Sequence, residues 1–154
     1  MLWWSMIPAS NTRDWQPDVA VLPSATIDGD RVTLHNIRNF VYRTATDFTP
    51  RHDDKTFDLQ HLESVDLINS YWAGEAMAHL FVSFGFGGQD YVAISIETRK
   101  EQTEDYSSIK GFCKQYELIY VVADEREVIR LRTTYRQPPE SVPMKCKRTG
   151  HETY

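Results

Sequence analysis

Along His79–Phe84, side chains alternate as in an extended strand, with Leu80, Val82 and Phe84 on one side and Phe81 and Ser83 on the other. Glycines at 85, 87 and 88 supply a turn and YVAISIE returns antiparallel, so Tyr71–Lys100 is predicted to be a β-hairpin with His79 at the mouth of its first strand. A turn centred near Gly88 sets His79 opposite Ile96 and Glu97. Because neighbouring residues of a strand face opposite ways, a slip of one position brings Ile96 or Ser95 to that place instead.

The flanking patterns extend the sheet. VAVLP, ATID, a Gly29–Asp30 turn and RVTLHNI predict a β-rich opening that contains a hairpin. Residues 43–64 have little periodicity and predict a long loop holding a short strand around Thr56–Leu59, after which VDLINSY (65–71) is a strand. Beyond the polar link ETRKEQTED, Ser107–Tyr116 has Ile109, Phe112, Cys113 and Tyr116 at helical spacing. ELIYVVA is apolar and β-branched, as a central strand requires. Asp124, three residues before Glu127, has the form of a capping box, predicting a helix from 125 to about 135 that buries Val128, Leu131 and Tyr135. The expected class is α+β: an antiparallel, mostly meandering sheet with two short helices on one face. An extended segment (1–17), a domain (18–136) and an irregular, disordered tail (137–154) complete the expected organisation.

Composition narrows the function. With 154 residues and 41% hydrophobic content, the chain can bury one core. A net charge of −5 gives no electrostatic footprint for nucleic acid, so no nucleic-acid partner is expected. The start MLWWSMIP lacks a basic leader, is broken by Pro8 and is too short to span a bilayer, so neither an export signal nor a membrane span is expected in it. Two cysteines, Cys113 and Cys146, do not make a disulfide framework. Trp3, Trp4 and Trp15 read either as docking contacts for a neighbour or as residues that pack on their own domain.

His79 reads as a satisfied structural histidine or as a general base with Glu97 as its orienting partner. Cys113 lies between Lys110 and Lys114 but on the predicted apolar face of a helix, which describes a buried thiol better than a nucleophile. Cys146, between Lys145 and Lys147, is reactive if exposed but has nothing in sequence to position it. FGFGGQD lacks the lysine and following helix of a phosphate loop and reads as a hairpin turn. His52, Asp53, Asp54 and His61 have metal-compatible side chains at spacings that fit neither zinc nor EF-hand schemes, so no metal and no cofactor are expected. Arg38, Arg43 and Arg51, separated by aromatics, are able to bind an anion or to pair with the acidic residues around them.

A resemblance adds to this reading. TIDGDRVTLHNIRNF, TDFTPR, VDLINSYW, SIETRKE and KGFCKQYELIYVVADEREVIRLRTTYR, with the hairpin itself, closely resemble the bacterial Lnb N-terminal periplasmic domain family over about Trp3 to Arg136. That family is of unassigned function and is similar to circularly permuted NlpC-type, papain-like cysteine hydrolases, in which a strand histidine precedes the nucleophilic cysteine. The resemblance therefore implies an envelope, periplasmic or membrane-associated setting, an amide or ester substrate or a membrane-protein partner, and His79 in the histidine's place. It also implies a further strand, helices and an Asn-Cys-Thr type segment after IRLRTTYR, where this chain reads QPPESVPMKCKRTGHETY. The expectation is thus a truncated or frame-shifted copy, inactive for want of its nucleophile, with unpaired sheet surface that makes it prone to associate. The alternative is a non-catalytic binding or assembly module of an envelope membrane protein.

Overall fold

Gly29 has a φ of 57°, which lets the chain reverse between strands β1 (Ser24–Asp28) and β2 (Arg31–Arg38) in the expected antiparallel hairpin. The computed structural model describes residues 10–71, 78–88, 90–104 and 116–135, together with the backbone of 145–149. After β2 come a small ribbon, β3 (Val41–Tyr42) and β4 (Phe48–Thr49), then β5 (His52–Asp58), β6 (Leu62–Tyr71), β7 (Ala78–Phe86), β8 (Asp90–Arg99) and β9 (Glu117–Asp124). Helix α1 (Glu125–Arg130) continues into a π-helical turn, Leu131–Tyr135, and strand β10 (Lys145–Thr149) follows. The VAVLP segment is not a strand, whereas the strand expected around Thr56–Leu59 begins earlier, at His52, because it pairs along β2.

The main sheet runs β1-β2-β9-β8-β7-β6-β10, with β5 also on β2. It is mixed and not a plain antiparallel meander: β2 meets β9 in parallel through the pair Arg38 and Ala123, and β10 returns beside β6. Of the two helices expected, α1 is the one α-helix among the described residues; Ser107–Tyr116 lies almost wholly outside them. The tail expected to be irregular carries β10, antiparallel to β6 over five residues. Asn36, at the bulge of β2, has a φ of 61° and is held there by its amide donating to the Leu22 carbonyl and its N–H donating to Asp54.

Residue alternation gives the β6–β9 region two different faces. On one, Ile68, Phe81, Ala93, Ile119, Val121 and Ala123 form a core with Val128 of α1. On the other, Phe86, Val92 and Val122 pack under Ile37 of β2 and Phe57 of β5, with the Phe57 and Phe86 ring centroids 4.6 Å apart. That cover reaches only one end of the strands; at the other end Leu80, Ile96, Leu118 and Tyr120 remain exposed. The β3–β4 ribbon packs Phe40, Tyr42 and Phe48 against Leu131 and Tyr135. Trp15 is buried beneath the Arg99 guanidinium, at 4.3 Å, so it packs on its own domain; Trp3 and Trp4 lie outside the described residues.

Candidate functional site

The hairpin sets the site. In β7 and β8 the register pairs Phe81 with Ser95 and Val82 with Ile94, and continuing it two positions brings His79 level with Glu97. The side chains meet there: His79 Nε2 lies 3.0 Å from Glu97 Oε1. The contact is close, but it lacks the alignment of a directed hydrogen bond. Ile96, the other residue named for that place, faces the opposite side and is exposed.

Two further groups converge on the same carboxylate. Ser95 Oγ donates to Glu97 Oε1 at 3.0 Å, and the Arg132 guanidinium donates to that oxygen from the π-helical turn. Burial by itself pushes the Glu97 carboxyl upward, but His79, Arg132 and Ser95 outweigh it and hold the group at about 2, so it is a carboxylate at neutral pH. Arg132 is buried, lies 5.2 Å from the Phe81 ring centroid and donates to the Val128 carbonyl, which fixes the guanidinium over β7 and β8. The arrangement sets an imidazole beside a carboxylate that is charged at neutral pH, a pairing that a general base and an orienting partner would use.

The row extends toward the sheet edge. β6 places Ser70 opposite His79, and β10 places Cys146 opposite Ser70, giving Cys146, Ser70, His79 and Glu97 in one cross-strand line. Ser70 is 1% exposed, which seals its hydroxyl from any substrate. The Cys146 backbone is separated from His79 by the full width of β6, about 10 Å at two strand spacings, far beyond a hydrogen bond. Cys113 lies outside the described residues.

More charge lies under the same helix. Ser83 Oγ donates to Glu125, and Arg38 Nε lies 3.3 Å from Glu127 Oε1, with all four residues buried. Burial raises the Glu127 carboxyl, with Arg38 and Tyr42 opposing it. Glu127 is therefore not half of a capping box: Asp124 caps α1 through the Arg126 N–H at 2.9 Å, while Glu127 turns inward. The other sequence candidates are used structurally. Arg43 pairs with Asp47, Arg51 with Asp53, and Asp54 with His35, and His52 stands edge-on to Phe40. Among the described residues no three histidine, cysteine or acidic side chains gather as metal ligands would.

Residues 48–142 match the family model described as the Lnb N-terminal periplasmic domain. The chain belongs to that family. The match covers the β4–β9 region, α1 and the π-helical turn, and so contains His79, Glu97 and Arg132. Searches of curated proteins and of solved structures found no match. The family is periplasmic and of unassigned function, which places this Lnb N-terminal domain in the bacterial envelope. No helix among the described residues is long and apolar enough to cross a membrane.

Sequence reasoning paired His79 with Glu97, named Ser95 only as a residue that a register slip would set opposite His79, and did not include Arg132 or Ser83 in the site. A signal for Arg132 was present, since it stands four residues after Val128 on the stripe predicted to be apolar. Ser83 and Ser95 likewise occupy positions that alternate with Phe81 and Ala93 on the buried face.

Proposed function

We propose that this Lnb N-terminal domain carries the acid–base half of a cysteine hydrolase or acyltransferase centre that acts on an amide or ester in the envelope, in a fold of permuted papain-like type. His79 is the general base and Glu97 the residue that orients it. The observation that supports this most directly is the Glu97 carboxylate, shared by His79, Arg132 and Ser95 and kept ionised. In such a centre the histidine takes the thiol proton, the thiolate attacks the carbonyl carbon, and the imidazolium returns the proton to the leaving group. The burial of Ser70 and the two-strand distance between His79 and the Cys146 backbone support the reading that this chain is inactive alone.

The purified chain is expected to leave p-nitrophenyl esters and N-acyl amides unhydrolysed. In a family member that supplies a cysteine after the π-helical turn, replacing the strand histidine by alanine should lower turnover by about 10²–10⁴ while leaving the thermal melt unchanged. Wild-type turnover in that variant sinks the catalytic reading. A second reading is favoured by the other side of the sheet. The exposed Leu80, Ile96 and Tyr120 suit a non-catalytic binding or assembly module of an envelope membrane protein.

A further inference from the structure

The ladder between β7 and β8 ends at the pair Phe81–Ser95, although β7 stays paired with β6 as far as Ala78–Tyr71 and β8 with β9 as far as Arg99–Glu117. His79 and Glu97 lie two positions past that last pair, so each is held by its outer neighbour, His79 through Ser70 and Glu97 through Ile119. Backbone hydrogen bonds between β7 and β8 therefore do not set the distance across which the imidazole meets the carboxylate. A glutamate side chain has several rotatable bonds, and that of Glu97 is 21% exposed, so other rotamers and water compete for its oxygens. Its place against His79 has to come from side chains.

Among the described residues, two groups besides His79 reach Glu97 Oε1. Ser95 lies on the same strand two residues away and moves with Glu97, so its hydroxyl steadies the carboxylate on β8 without relating it to β7. Arg132 relates the two strands. Its Nη2 donates to Glu97 of β8, and the guanidinium lies 5.2 Å from the ring centroid of Phe81, which shares a face of β7 with His79. Its Nη1 donates to the Val128 carbonyl at 3.4 Å, and the side chain is 5% exposed, so the guanidinium has little room to turn. Helix α1, which carries that carbonyl, is itself tied to β7 and β2, where Glu125 accepts from Ser83 and Glu127 faces Arg38. A planar guanidinium meets a carbonyl and a carboxylate at once, whereas a lysine ammonium is one point charge on a flexible stem.

We propose that Arg132 is a positioning residue of the acid–base centre, holding the Glu97 carboxylate against His79 across the open end of the β7–β8 ladder. This role rests on Glu97 being the residue that orients His79. A neutral imidazole that faces a carboxylate with Nε2 keeps its proton there, since a lone pair in that place would be repelled, so a fixed Glu97 selects one tautomer of His79. Long-range proton–nitrogen correlation spectra of the full chain at about pH 9, above the ordinary histidine range, report the ratio of the Nε2–H to the Nδ1–H form. Arg132→Met should lower that ratio for His79 at least about fivefold and leave His35, His52 and His61 unchanged. Arg132→Lys, which keeps the charge and loses the planar fork, should lower it in the same direction, and it carries the test if circular dichroism shows that Arg132→Met does not fold. Glu97→Ala, which removes the acceptor, should lower it as well. If Glu97→Ala lowers the ratio and either Arg132 variant keeps the wild-type value, the positioning role falls and the acid–base reading stands. A ratio that rises in Arg132→Met also overturns the role alone, because the guanidinium then competes with His79 for Oε1. A wild-type ratio in Glu97→Ala overturns both the role and the acid–base reading.

Discussion

Two buried glutamates respond to pH in opposite senses, because their neighbours outweigh burial at Glu97 and burial outweighs them at Glu127. Glu97 is held at about 2 against an ordinary value of 4.5, so its stabilising contribution is fully present above pH 4.5 and is lost as pH falls toward 2. Glu127 is raised by burial beyond what Arg38 and Tyr42 offset, so its contribution is greatest below its ordinary value and falls as pH rises through its folded one. Glu97→Gln isolates the first effect. Urea denaturation from pH 5 to pH 2 should show the difference in stability between wild type and variant shrinking by roughly 3 kcal/mol, the size that such a shift implies. A difference that stays constant across this range would show that His79, Arg132 and Ser95 do not hold the carboxylate as described. The same carboxylate was legible in the sequence because a hairpin relates its strands by one turn: once Gly88 marks the reversal, only the parity of the register separates Glu97 from Ile96. Arg132 comes from the chain 35 residues further on, and no local pattern specifies which strand its helix crosses.

Helix α1 shows why an element can be legible while its docking is not. Its start at Asp124 and its buried Val128 and Leu131 follow from capping and helical spacing, both local properties. Its attachment to the sheet is long-range and largely polar: Glu125 accepts from Ser83 of β7, Glu127 faces Arg38 of β2, and Arg132 donates to Glu97 of β8. Glu125 and Glu127 on the inward side of a six-residue helix, followed by Arg132 in the next turn, read as solvent-facing unless the partner strands are known. The mixed sheet escaped prediction for the same reason. Alternation reveals strands but not that β2 crosses to lie parallel to β9, or that β10 returns to β6. If polar docking holds α1 in place, Ser83→Ala, which takes a hydroxyl from the buried Glu125 carboxylate, should cost about 1–3 kcal/mol in urea unfolding. Adding Glu125→Leu should recover part of that loss, because the carboxylate then no longer needs a partner. No recovery in the double variant would mean that Ser83 stabilises the sheet through packing alone.

At the scale of the whole molecule, the main sheet divides into the β6–β9 strands with the helix and the β1–β2–β5 strands that fold over one end of them. The junction combines one parallel pair between Arg38 and Ala123, the cluster of Ile37 and Phe57 on Phe86, Val92 and Val122, and the buried Arg38–Glu127 ion pair. The ion pair is the component most sensitive to a single change, since the Glu127 side chain is 1% exposed and loses its cation if Arg38 is replaced. Breaking such a pair from one side typically costs about 3–5 kcal/mol, whereas replacing both members by apolar residues is often nearly neutral. Arg38→Met should therefore destabilise the domain by that amount, and Arg38→Met with Glu127→Leu should restore most of it. Native-state hydrogen exchange adds the spatial test. In Arg38→Met, amides of β1, β2 and β5 should lose protection before those of β7, β8 and β9, because β8 keeps its ladders to both β7 and β9 and the helix-side core does not involve Arg38. If all strands lose protection together, the two parts of the sheet unfold as one unit, and the junction is not the weak point of the domain. If the order holds, the β2–β5 cover opens independently of the sheet that carries His79 and Glu97, so the apolar surface beneath it can enlarge while the imidazole–carboxylate pair stays assembled on the other face.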